Sequence, residues 1–278
     1  MSAWTAAAGM LKQPNIPLPA LLGLNERAPG PKQPNKYFFA SPLISQRLAM
    51  LRNMVGSRSM VIVVVGERGS GKTTLMNQFI TDARSRWHEG RIRLKQRRKV
   101  PAGVWHNLNN RLVFLSKKDS PPSVIIDDAH QLSSDELKLL LQSAWAADGT
   151  RKLQSIVLFA EPQMRTRFAE IARWLPPKSV IDKIFMTPLT EKQTAEYLQH
   201  RLKVAGFLKK IPFSPEQIKS IYRHSGGLPG WINGEAFMVL KKIYTGKRSS
   251  YGSILRRLRA SFEWKSLFLG KRLFFARN

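Results

Sequence analysis

Met60-Val-Ile-Val-Val-Val65-Gly66-Glu67-Arg68-Gly69-Ser70-Gly71-Lys72-Thr73-Thr74-Leu75 is the stretch that decides how this chain folds. Val61 to Val65 are β-branched and apolar on both faces, as a strand covered from both sides of a parallel sheet must be. Gly66 to Thr73 fits Gly-x-x-x-x-Gly-Lys-Ser/Thr without exception, and Leu75, Phe79 and Ile80 place a helix directly behind it. Glycines let the backbone curl so that successive N–H groups face a polyphosphate, and the helix adds its positive N-terminal end. Gly66, Glu67, Arg68, Gly69, Ser70, Gly71, Lys72, Thr73 and Thr74 are therefore the candidate nucleotide-binding residues. Lys72 is placed to reach the β- and γ-phosphates and the Thr73 hydroxyl to ligate magnesium, so ATP and Mg²⁺ are the expected cofactors. A glycine turn with an accidental Lys-Thr is the alternative, and the strand and helix flanking it count against that.

Reading outward, Ser123-Val-Ile-Ile-Asp127 is a second buried strand, followed by Asp128. A carboxylate leaving an apolar strand beside a phosphate loop can hold magnesium through water, and Asp127 is the candidate. An ordinary Asp-Asp turn is the alternative. Ser133 to Ala147 reads as a helix opened by a capping box, Ser133 with Glu136. Leu153 to Ala160 and Val180 to Met186 read as further strands, with a helical stretch from Gln163 to Trp174 between them. Upstream, Ser41-Pro42 starts a helix that closes near Gly56. Strands alternating with helices make a doubly wound α/β sheet. From Thr190 the pattern turns wholly helical: Glu191 to Val204, Ser214 to His224 and Pro229 to Tyr244.

The 278 residues carry 46 Lys and Arg against 18 Asp and Glu, a formal net charge of +28. A hydrophobic fraction of 43% is ordinary for a chain with a core and excludes wholesale disorder. With no cysteine, disulfides, cysteine-ligated metals and cysteine nucleophiles are excluded. The five histidines show no metal-ligand spacing, and no catalytic triad is apparent. The longest apolar run, Met60 to Val65, is strand-sized, which argues against a membrane-spanning helix. No basic segment followed by an apolar one opens the chain, and a cytoplasmic protein is expected.

The charge is uneven. Residues 121–190 balance eight basic against eight acidic side chains, whereas 241–278 hold eleven basic and one acidic. Arg91 to Lys99 form a second basic run, near Arg111, Lys117, Lys118, Trp87 and Trp105. A charge of this size attracts polyanions, either nucleic acid or an anionic membrane surface; a solvated charged surface that only keeps the protein soluble is the alternative. In the tail, Ile254, Leu258 and Phe262 recur every four residues among Arg256, Arg257 and Arg259, and Trp264, Phe268, Phe274 and Phe275 follow. That pattern suits a membrane-surface helix or a helix for a partner's groove; a terminal helix docked on its own domain is the alternative. Four divisions follow: a Pro-rich arm at 1–36, a nucleotide-binding domain at 37–190, a helical domain at 191–246, and a basic amphipathic tail at 247–278.

From about Tyr37 to Tyr244 the chain resembles the AAA+ ATPases of the ExeA/GspA type. These are associated with secretion and pilus assembly, and the transposition helpers of the TniB/TnsC type are related to them. The resemblance rests on Phe38-Phe39, GERGSGKTTL from Gly66, VIIDDAHQLS from Val124 and LQSIVLFAEPQMRTRF from Leu153. It continues through IFMTPLTEKQTAEYLQHRLKVAG from Ile184 and FSPEQIKSIYRHSGGLPGWIN from Phe213. It implies a P-loop NTPase fold of the AAA+ type: a parallel sheet with helices on both faces, then a small all-helical lid. It also implies ATPase activity and self-association.

Four places depart from the family's pattern. Where the family has Glu polarising the attacking water, this chain has Asp128, one methylene shorter; misplacement on the order of 1 Å can cost about 10²-fold in rate. Glu161 stands at a polar sensor place that usually holds Gln. Lys183 matches the Arg that reaches a neighbouring subunit, without that residue's bidentate fork. Gly230 stands where the lid's Arg is usual. Arg173 and Arg223 are candidate substitutes for the missing cations. The expected catalytic set is Lys72, Asp128 and Lys183, with Thr73 and Asp127 on the metal.

The functional expectation is a slow ATPase coupling its nucleotide state to assembly of a bacterial envelope machine, peripheral on the inner face of the membrane. The alternatives are a DNA-binding ATPase regulator of the transposition or replication-helper kind, and a switch that binds nucleotide without turnover. ATPases of the envelope kind usually carry a membrane helix and a wall-binding domain after the lid, and the absence of both patterns here leans toward DNA.

Overall fold

The structure is a computed structural model that describes residues 37–56, 61–83, 88–90, 112–117, 120–142, 155–176, 179, 181–205 and 211–245. The chain divides into two compact units, Gln13–Phe237 and a second made of Met1–Lys12 with Met238–Asn278. Of the second, the described residues are the end of one helix. The Pro-rich arm, the Arg91–Lys99 run, Trp87, Trp105, Arg111, Lys118 and the tail after residue 246 lie outside the described residues.

In the larger unit the elements run α1 (Pro42–Gly56), β1 (Val61–Val65), α2 (Lys72–Ala83), β2 (His88–Gly90), β3 (Leu112–Lys117), β4 (Ser120–Ile126), α3 (Ser134–Gln142), β5 (Ser155–Ala160), α4 (Phe168–Trp174), β6 (Ile181–Phe185), α5 (Glu191–Val204), α6 (Pro215–Ser225) and α7 (Pro229–Thr245). Helix α7 passes into the second unit at Met238. The sheet order is β2-β3-β4-β5-β1-β6. The pairs β4·β5, β5·β1 and β1·β6 are parallel.

This is the expected α/β sheet with one difference at its edge. β2·β3 and β3·β4 are antiparallel. Two residues, 118 and 119, separate β3 from β4, whereas a parallel crossover needs a dozen or more, so the second strand must turn straight back.

Alternation along the central strands sorts the core into two layers. Val61, Val63 and Val65 of β1, with Ile156, Leu158 and Ala160 of β5, face Leu137, Leu140 and Leu141 of α3 and Ile171 of α4. Ile62 and Val64, with Val157 and Phe159, face Leu48, Leu51 and Val55 of α1 and Leu75, Phe79 and Ile80 of α2. Helices thus cover both faces, and all five residues of β1 are fully buried. That burial explains the unbroken apolar run. The loops at the C-terminal ends of β1, β4 and β5 therefore issue side by side.

Behind β6 the chain is helical. Thr190 caps α5 and Ser214 caps α6, each through a capping box closed by Gln193 and Gln217. The segment before α1 packs on α5: the Phe39 ring stands edge-on to Tyr197 at 5.6 Å and tilted against His200 at 5.6 Å. The Arg201 guanidinium lies 4.2 Å from the centre of the Tyr37 ring. Tyr197 is buried, and its hydroxyl donates to Asn233 Oδ1 at 3.0 Å.

Burial, reinforced by the charges of Arg201 and Lys203, holds His200 below its ordinary pKa of 6.5. A histidine depressed in the folded state contributes stability that is present above its unfolded pKa. That contribution is lost as pH falls through 6.5 toward the folded value. The thermal midpoint is expected to drop between pH 7 and pH 5, and His200→Phe to flatten part of that slope, read by calorimetry at fixed ionic strength.

Candidate nucleotide-binding site

The loop between β1 and α2 has the conformation its glycines permit. Gly69 and Gly71 adopt φ values of +83° and +93°, which side-chain-bearing residues rarely reach. The Ser70 N–H donates to Glu67 O at 3.1 Å, and the Gly66 N–H donates to Ala160 O at 3.1 Å, tying the loop to the end of β5. Glu67 is exposed, Arg68 and Thr74 are half-buried, and Ser70 is buried.

Lys72 turns back into the loop. Its Nζ donates to Gly66 O at 2.8 Å and Glu67 O at 3.0 Å. Burial lowers the Lys72 pKa, and Glu161, Asp128, Asp127 and Glu67 act in the opposite direction. The ammonium is thus ringed by carboxylates and carbonyl oxygens, a setting in which an incoming phosphate competes for the same donors.

Beside it, Thr73 Oγ1 donates to Asp127 Oδ2 at 2.9 Å. Burial pushes the Asp127 carboxyl up, with Asp128 adding to the effect; the hydroxyl of Thr73 and the charge of Lys72 oppose it. Asp128 follows with φ +50° and ψ +38°, its N–H on Asp127 Oδ1 at 3.0 Å, and opens the 3₁₀ turn Ala129–Gln131. Two further observations test the fit of the expected ligands. Ser70 Oγ is buried with no hydrogen-bond partner, and a hydroxyl beside a carboxylate is the hard oxygen pair that magnesium takes. The residues fit a magnesium–nucleotide pair.

Glu161, the first residue beyond β5, lies within electrostatic reach of Lys72. Its carboxylate sits 3.9 Å from His130 Nε2, and its backbone N–H donates to His130 Nδ1 at 3.3 Å. Lys72, Thr73, Asp127, Asp128 and Glu161 are therefore together. Lys183 is not with them. It pairs with Val63 in the middle of β6 and is exposed, with its Nζ 4.8 Å from the centre of the Phe168 ring. Arg173 is also exposed, its Nε directed at Ala169 O at 3.5 Å within its own helix.

Gly230 has a positive role that the sequence reading did not give it. Its N–H donates to Gly69 O at 2.9 Å. A Cβ at 230 would stand 3.0 Å from Gly69 Cα and 3.4 Å from Gly69 O, so an arginine there would press on the loop. The neighbouring Trp231 indole lies over Gly69, its Cδ1 3.4 Å from where a Cβ would be. Sequence reasoning missed Trp231 and the His130–Glu161 pair. The Gly-Gly-Leu-Pro-Gly run and the His after Asp-Asp-Ala were the available signals.

The strand order, the loop at the end of β1, the acidic end of β4 and the helices on both faces define a P-loop α/β fold. No family model matches the chain. Among curated proteins it is similar to General secretion pathway protein A of Aeromonas hydrophila, 24% identical over 231 residues. The match covers 76% of this chain and 42% of that protein, so the chain spans less than half the relative's length. This agrees with the ExeA/GspA-type resemblance drawn from the motifs.

Three solved structures overlap it in part. The ORC2 protein of Aeropyrum pernix, in ADPNP–ADP complexes, has a TM-score of 0.45 at 16% identity, covering 89% of this chain and 74% of that one. A Walker-type ATPase of Pyrococcus abyssi gives 0.46 at 13%, covering 81% and 73%. Cdc6p of Pyrobaculum aerophilum gives 0.45 at 14%, covering 85% and 65%.

Proposed function

We propose that this chain binds ATP with Mg²⁺ in the loop from Gly66 to Thr74 and hydrolyses it slowly. The single observation that carries the reading is the convergence of Lys72, Thr73 and Asp127 at the ends of β1 and β4. Lys72 exchanges its two carbonyl partners for β- and γ-phosphate oxygens. Thr73 and Asp127 would hold the metal, which would supply positive charge to the polyphosphate. Lys183, exposed on the edge strand β6, serves a neighbouring copy's nucleotide in a self-associated form. Four parts carry this out: the arm at 1–36, the nucleotide-binding domain at 37–190, the lid at 191–246 and the basic tail at 247–278.

The biological setting we infer is assembly of a bacterial envelope machine of the secretion or pilus kind, supported by the similarity to General secretion pathway protein A. Among the described residues no helix is long and apolar enough to cross a membrane. The basic amphipathic tail supports a peripheral attachment to the inner face of the membrane from a cytoplasmic position. The net charge of +28 favours a second reading, an ATPase regulator that binds DNA.

One set of measurements separates them: ATP turnover by the full chain, alone, with anionic vesicles and with duplex DNA. For the envelope reading, vesicles raise turnover, and flotation with them disappears when residues 248–278 are deleted. For the DNA reading, log affinity for the duplex falls linearly with log salt, with a slope of about −0.9 per phosphate neutralised. Binding of ATP without turnover under any of these conditions leaves a nucleotide switch.

A further inference from the structure

The described structure places a second carboxylate, besides Asp128, beside the phosphate loop. Glu161 begins where β5 ends, and the carbonyl of the preceding Ala160 accepts from the loop's own Gly66 at 3.1 Å. β5 lies between β4, which ends at Asp127, and β1, which ends at the loop. Glu161 thus stands between the metal side and the phosphate side of the site. Among the carboxylates acting on Lys72 its influence is the largest, ahead of Asp128 and Asp127.

Its side chain accepts one hydrogen bond and lies near the His130 ring, which also binds its backbone. Gln163 Nε2 donates to Oε2 at 3.3 Å, and His130 Nε2 lies 3.9 Å from Oε1. His130 Nδ1 accepts from the Glu161 backbone N–H at 3.3 Å, so the neutral ring carries its proton on Nε2, the nitrogen facing the carboxylate. The His130 side chain is itself only 9% exposed. Asp128, by contrast, is held in a left-handed backbone conformation at the start of a 3₁₀ turn, with a side chain one methylene shorter than Glu.

We propose that Glu161 is the group that orients and deprotonates the attacking water, and that His130 is a positioning residue holding it. This rests on the ATPase reading above. In the step, the water oxygen bonds to the γ-phosphorus and the water's proton passes to the Glu161 carboxylate. The bond from the γ-phosphorus to the bridging oxygen breaks, its electron pair leaving on the β-phosphate.

The test uses the full chain with Mg²⁺, measuring ATP and ADP affinity by calorimetry and phosphate release under single-turnover conditions. Glu161→Gln is expected to slow turnover on the order of 10²-fold, the scale of a lost general base. Because it removes a negative charge facing the γ-phosphate, it should also tighten ATP about fivefold relative to ADP, a change that a merely structural role would not produce. Asp128→Asn is expected to slow turnover by less than about tenfold, short of the full general-base effect. His130→Ala should lower kcat with KM little changed, and His130→Gln, which keeps a donor toward Glu161, should restore most of it. If Glu161→Gln does not fold, Glu161→Asp serves: it keeps the charge, so the ATP-to-ADP preference stays at the parent value while turnover falls.

Glu161→Gln turning over at the parent rate with an unchanged ATP-to-ADP preference overturns the assignment. So does a complete loss confined to Asp128→Asn. A parent chain that binds ATP without releasing phosphate overturns it too, while nucleotide binding stands. A parent that does not bind ATP removes the ATPase reading itself.

Discussion

Replacing Lys72 with Ala is expected to abolish ATP binding at micromolar concentrations. Two charge-assisted hydrogen bonds to phosphate oxygens are worth about 1.5–3 kcal/mol each, which corresponds to a weakening on the order of 10²- to 10⁴-fold. The loss is not confined to the ligand. Without nucleotide, Lys72 Nζ bridges Gly66 O and Glu67 O and faces Asp127, Asp128 and Glu161. Removing it leaves these carboxylates without their shared cation and the loop without a cross-brace. The variant should therefore also melt below the parent when no nucleotide is present. Calorimetric titration with ATP and Mg²⁺ checks the first effect, and thermal unfolding of the free chain the second. Parent-like ATP affinity in the variant would remove the basis for calling this loop the site.

The second large effect is expected far from the phosphate. Gly227 has φ +73°, and a Cβ there would stand 2.1 Å from Leu189 O. No rotamer relieves such a contact, because both partners are backbone. The Leu189 N–H donates to Gly227 O at 2.8 Å, so separating the two segments breaks that bond as well. A left-handed alanine costs roughly 1–2 kcal/mol and the lost hydrogen bond about 1. Gly227→Ala is therefore expected to destabilise by about 3 kcal/mol or more. For a domain of this size that lowers the thermal midpoint by roughly 6–12 °C. Gly226→Ala is the control: its φ is +59° but a Cβ there meets nothing within 4 Å. It should lose the conformational term alone. Equal midpoints for the two variants would contradict the close approach to Leu189.

How much of this was legible beforehand follows from where each signal lies. Strand β1, its loop and α2 are contiguous, so periodicity and glycine spacing located the strand and the loop to the residue and placed a helix directly behind them. The capping box of Ser133 with Glu136 was legible for the same reason, being written within four residues, and its two reciprocal bonds are present at 2.8 and 3.2 Å. Strand β3 lacked such a signal, since its short apolar run borders on Lys117, and its antiparallel pairing is imposed by the brief connection to β4. Lys183 could be matched to a place in the strand but not to a direction, and its ammonium rests near Phe168. The His130–Glu161 pair and the Gly69–Gly230 contact join residues 31 and 161 positions apart. The first follows from the strand order and the second from where α7 begins, so the local runs that carry these residues do not by themselves show the pairings.

The Gly69–Gly230 contact carries a consequence for how this molecule would report its state. An arginine at the lid's entry reads a phosphate by charge, at a distance, with a strength that salt erodes. Here two bare backbones touch, and the start of α7 meets the loop by shape. A ligand that displaced Gly69 would strain its hydrogen bond with Gly230 and its contact with the Trp231 ring. Because the contact joins uncharged groups, its strength should depend little on ionic strength, and a change in it would be open to observation through the indole's own fluorescence.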